Sequence, residues 1–204
     1  MGYTHYWYRE KEIRKEVFKT ILHDFEAMLP ALLDLRVSLA GGLGTGEPTI
    51  TAEDLRFNGL RHCGHTKQDI GIAWPEKIAS GISTNLTDSV RGKWFAGRLL
   101  QHRACDGDCS HETFYFPRVL EEQEWQKPVG GRCFQCCKTA YKPYDLAVNC
   151  FLIIGKHHLG QSIVIQSDGT NQHWQDAKEV CQRVLGYGVE LQLDTKESMI
   201  VQAE

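Results

Sequence analysis

Two pairs of thiols stand close together in the chain: Cys105 and Cys109 within CDGDC, and Cys133 and Cys136 within CFQC. Pairs of this kind suit a tetrahedral zinc ion, because one short turn can aim two thiolates at a single point. Gly107 inside the first pair and Gly130–Gly131 just before the second permit the tight turns that a zinc knuckle needs. His111 and Cys137 follow the pairs closely and are alternate donors. Four protein ligands leave the ion no open position, so the expected Zn2+ is structural and chemistry falls to residues beside it. Unrelated buried thiols are the competing account. That account suits Cys150 and Cys181, which sit among apolar residues, but not the polar CDGDC. His62, Cys63 and His65 in HCGH form a smaller donor group, simpler to read as a solvated turn.

Polar sequence follows each pair. Glu112 and Thr113 come after the first; Lys138, Thr139, Lys142, Tyr144 and Asp145 come after the second, where Pro143 predicts a helix start. A helix start carries unpaired N–H groups and partial positive charge, so with two lysines and a threonine hydroxyl it suits a phosphate. Glu112 and Asp145 are the candidates for acid/base work or for holding a ribose. The plainer account is a capped helix with solvated lysines, and for Lys142 alone it is preferred. Asn58 in RFNG and Asp168 in SDG are further candidates for the same face, each weighed against a simple turn. Ser167 and His5 have plain structural accounts, a turn and a strand position.

The ordered series MGYTHYW, FNG, HETF, CKTAYKPYD and SDG followed by Trp174 resembles an uncharacterised family of bacterial and phage-borne proteins. The resemblance spans nearly the whole chain. It implies that Asn58, Glu112, Thr113, Lys138, Thr139, Lys142, Tyr144, Asp145 and Asp168 belong to one framework, with Cys137 as the cysteine of CKTA. It brings no established activity. A phage-borne member would suit sequestration of a signalling nucleotide.

Elements must position these residues. With 204 residues, 42% apolar and 24% charged, the chain suits one domain (1–204) able to bury a full core. The net charge of -3 offers no general attraction for a polyanion, so nucleic acid is not favoured as a partner. The longest apolar run is too short to span a membrane, and the N-terminus shows no apolar signal core. Both predict a cytoplasmic protein, where thiols stay reduced and metal binding outranks disulfides.

Strands are expected at GYTHYWY, RVSLA, DLRFNGL, DIGIAWP, KWFAGRLLQHR, ETFYFPR, SIVIQS and VELQLD. GGLGTGEP lacks the Lys-Ser/Thr ending of a P-loop and predicts a mobile connection. Helical periodicity runs from Arg9 to Leu29, where Pro30 should end or kink it, then from Pro143 to Gly160 and over NQHWQDAKEVCQRVLG. Residues 76–92 stay open between loop and helix, and 117–132 suggest an exposed excursion. The class is α+β: a mixed or antiparallel sheet packed by about three helices, with a zinc-binding loop region at 102–138. Function stays open between three classes. One is a zinc-stabilised binder of a phosphorylated small molecule, a nucleotide above all. The second is an enzyme acting on a nucleotide or nucleic acid, with Glu112 or Asp145 as base and Lys138 or Lys142 on phosphate. The third is a protein-interaction module.

Overall fold

The aromatic opening forms the middle strand of a sheet. The structure, a computed structural model, describes residues 3–65, 103, 105, 107–121 and 131–193. Within these, β1 (Thr4–Arg9), α1 (Lys15–Asp34), β2 (Leu39–Ala40), β3 (Thr49–Ile50), β4 (Asp54–Gly59), β5 (Phe114–Pro117), β6 (Cys133–Lys138), α2 (Asp145–Leu159), β7 (Ile163–Ser167) and α3 (Gln175–Leu185) follow in order. Side chains of β1 alternate as period two requires: His5, Trp7 and Arg9 are buried, while Thr4, Tyr6 and Tyr8 are half-buried. β1 pairs antiparallel with β6 on one edge and β7 on the other. In the second antiparallel sheet β4 pairs with β5 through Asp54–Phe57, with β3 through Leu55 and Arg56, and with β2 through Asn58 and Gly59.

One core joins the two sheets to all three helices. α2 is buried along its whole first part, from Asp145 to Gly155, as its broad apolar pattern demands. Phe151 meets Phe25 of α1 and Phe114 and Phe116 of β5, with ring centroids 4.9 to 5.3 Å apart. Arg9 crosses from one sheet to the other. Its guanidinium donates to the Pro117 carbonyl and lies 4.7 Å from the Phe116 ring centre, and burial pulls its pKa down to about 10. The fold is α+β, as expected.

Several local expectations change. α1 starts at Lys15 and not at Arg9, because Arg9 belongs to β1 and residues 11–13 bond with 118–120. Pro30 does not end the helix: Ala31 and Leu32, both buried, hold the last turn against the core. Tertiary burial outweighs the lost backbone donor there. RVSLA shrinks to Leu39–Ala40, since Arg36 leaves the helix with φ 60°. In VELQLD no strand forms over 189–193; Leu191 N bonds to Gly188 O, and Leu193 N bonds to the Asn171 side chain. The start of the 117–132 excursion is tied down by Leu120 N on Lys11 O. DIGIAWP, residues 76–92 and all of KWFAGRLLQHR except Arg103 lie outside the described residues.

Candidate metal centre

The end of β4 builds the first wall of the site. Asn58 donates to the carbonyls of Gly42 and His111 and accepts from the N–H groups of Gly59 and His111. Its amide thereby clasps the segment that follows CDGDC. Gly59 permits the approach: a Cβ there would lie 1.9 Å from the Cys109 carbonyl oxygen. Cys109 N then bonds to Leu60 O, and Cys63 N bonds to Gly107 O, so two loops lie face to face.

Those loops converge four donors. His62 (φ 60°) and Gly64 (φ 75°) take left-handed conformations that turn Cys63 and His65 toward the other loop, while Gly107 (φ 80°) reverses the chain between Cys105 and Cys109. The Sγ atoms of Cys63, Cys105 and Cys109 and a ring nitrogen of His65 all lie within 4.8 Å of one another. Cys63 Sγ is 3.3 Å from Cys105 Sγ, and Cys105 Sγ is 3.2 Å from Cys109 Sγ. His65 Nδ1 is 3.2 Å from Cys109 Sγ and 3.5 Å from Cys105 Sγ. Bonds of 2.3 Å to sulfur and 2.0 Å to nitrogen put tetrahedral donors about 3.5–3.8 Å apart, so these four separations come within about half an ångström of those that zinc requires. A disulfide, at about 2.05 Å, is excluded at these separations. Burial pushes the Cys109 thiol up, helped by Cys105 and Cys63. At Cys63 burial is outweighed by hydrogen bonds from the His65 backbone and the neighbouring thiols, which lower its pKa.

The second cysteine pair is elsewhere. Cys133 and Cys136 lie on β6, opposite Arg9 and Tyr6 of β1. Positions three apart on a strand face opposite sides, so these two thiols do not aim at one point. His111 Nδ1 bonds to the Lys138 carbonyl at 2.7 Å, and Cys137 is fully buried near the Glu112 carbonyl. CDGDC is thus half of the donor set, and its other half is the HCGH turn. Cys63 and His65, with Gly64 between them, are thus candidate donors and not merely a solvated turn.

The remaining polar residues tie the cysteine loop to the sheets. Glu112 accepts from Lys138 N at 2.7 Å, and its carbonyl accepts from Tyr144 OH at 2.7 Å. Thr113 donates to Gly42 O. Lys142 Nζ donates to the Asp108 carbonyl at 2.7 Å, so its charge is used inside the cysteine loop. Asp168 accepts from Thr4 N and Tyr6 OH at the sheet edge.

Asp145 heads α2 and is fully buried. It accepts from Thr139 (2.5 Å) and Asn149 (3.2 Å), pairs with His5 (2.7 Å), and has Arg103 at 3.7 Å. Burial alone would raise its pKa, but His5, Arg103 and Thr139 outweigh that and hold the carboxyl below its usual range. His5 continues to Ser167 Oγ at 3.0 Å, and Arg103 continues to Asp176 at 3.0 Å. The positive end of α2 therefore faces a buried carboxylate of its own. Compared with known protein families, curated proteins and solved structures, the chain matches none.

Proposed function

We propose that this chain is a zinc-stabilised binding protein, with Cys63, His65, Cys105 and Cys109 as the four ligands. The convergence of four donors from two facing loops carries the reading. Three thiolates and one imidazole suit zinc best among common divalent ions, and a filled tetrahedron leaves no position for water or substrate. The ion's task is then mechanical. It fixes Cys105 and Cys109, and just after them His111, Glu112 and Thr113 reach β6 and the Gly42 turn. The binding half rests on a cavity of about 660 Å³ on the outer face of the β6-β1-β7 sheet, within the size range of small-ligand sites.

Metal analysis of protein purified without chelator tests the zinc half. One zinc per chain is expected, and a protein free of zinc overturns it.

A further inference from the structure

The outer face of the three-stranded sheet carries three aromatic rings in a row. Tyr6 and Tyr8 alternate with the inward residues of β1, and Phe134 lies opposite Tyr8 on β6. The Phe134 ring centre is 5.2 Å from that of Tyr8 and 6.3 Å from that of Tyr6, nearly parallel to the latter at 24°. These rings line the 660 Å³ cavity together with Gln166, Asp168, Thr170 and Asn171. Gln166 Nε2 is buried and has no hydrogen-bond partner among the described residues, a donor beside Tyr6 in the register of β7.

Charge narrows the ligand. Among the described residues that line the cavity, Asp168 is the charged one, and none is a lysine or arginine. Lys178, on α3, donates from Nζ to the Asn171 side-chain oxygen Oδ1 at 3.2 Å. A phosphate would meet a carboxylate with no facing cation among the described lining residues, which disfavours a polyanion there. A flat ring with its own donors and acceptors fits instead. Aromatic side chains on a sheet stack planar bases, and an amide donor and a carboxylate acceptor match the edge of a base.

We infer that this cavity binds a nucleobase or an uncharged nucleoside, with its ring against Tyr6, Tyr8 and Phe134. The inference rests on the binding half of the proposed function and not on the metal.

Calorimetric titration of the zinc-loaded full chain with adenosine, guanosine, cytidine and uridine tests it, with their 5′-monophosphates and glucose run alongside. At least one nucleoside should bind, its monophosphate no more tightly, and glucose not at all. Phe134→Ala should weaken that binding by roughly tenfold to a hundredfold, the usual effect of removing one stacking partner. Tyr8→Ala and Gln166→Leu should weaken it too, with circular dichroism and zinc content confirming that each variant is folded. If Phe134→Ala does not fold, the other two variants decide. Silence from all four nucleosides, tighter binding of the monophosphates, binding of glucose instead, or unchanged affinity in the folded variants would each overturn the inference. Nucleoside binding by a protein found to lack zinc would uphold it while the metal reading fell.

Discussion

His5 of β1 and Asp145 of α2 meet at 2.7 Å, Nε2 to Oδ1, with neither side chain exposed to solvent. The pair joins the first strand to the most buried helix across 140 positions of sequence. Fully buried Arg103 extends it to Asp176 beside the start of α3. Ions removed from water are costly unless paired, so what this network contributes is mainly the penalty for breaking it.

Asp145→Asn should accordingly destabilise the protein by about 3–5 kcal/mol in denaturant titration, since it leaves Arg103 with less compensation. Its pH dependence follows from the depressed carboxyl. Such a group contributes stability that is fully present above its unfolded pKa of about 3.9 and is lost as pH falls through the lower folded value. The gap between wild type and Asp145→Asn should narrow as pH falls below about 4. A gap that stays the same or widens below about pH 4 contradicts the assignment.

The donor set separates the eight cysteines by behaviour. Cys63→Ser and His65→Ala should each lower zinc content or affinity, while Cys133→Ser and Cys136→Ser should leave one zinc per chain. Metal analysis before and after a mild chelator reads the difference. Loss of metal in the Cys136 variant together with retention in the Cys63 variant would restore the pairing that spacing alone suggested.

Gly59→Ala places a methyl group where the Cys109 carbonyl sits. Backbone on both sides must move, which costs about 3 kcal/mol or more. Because Cys109 is a donor, metal affinity should fall together with the melting temperature. A normal zinc affinity in this variant would show that the two loops are not held by that approach.

Phe151→Ala removes the ring that touches α1 and β5 together, and should cost about 3–5 kcal/mol. An unchanged denaturant midpoint would show that α2 is not the centre of the core.

Pro30→Ala should stabilise. A proline inside a helix costs about 3 kcal/mol relative to alanine, whereas the rigidity it gives the unfolded chain returns only about 0.4–1 kcal/mol. Pro30 is exposed, so no core packing is lost. A rise in melting temperature checks this, and a fall would mean that the last turn needs the ring.

Much of this fold is legible in local pattern. Alternation marks β1, and the αL glycine at Gly186 marks the end of α3, because both signals act within a few residues. The metal site shows where that stops. CFQCC has knuckle-like spacing, yet its residues satisfy their backbone by pairing with β1, and spacing cannot tell a turn from a strand. Cys63 joins Cys105 across 42 positions, a contact that no local window contains. Asp145 is recognisable as an acidic residue near the start of a helix that Pro143 opens. Its burial is not, because His5 and Arg103 come from distant parts of the chain.

The proposed ion ties Cys63 to Cys105 across 42 positions of sequence. A closure of that span takes freedom from the unfolded chain, by an amount that grows slowly with length, about 0.6 kcal/mol per doubling. Arg103 lies inside the closed span, just before its end, and reaches Asp145 and Asp176 in the core. Stripping the ion should therefore free the unfolded chain and also loosen the tether that returns Arg103 to its carboxylates.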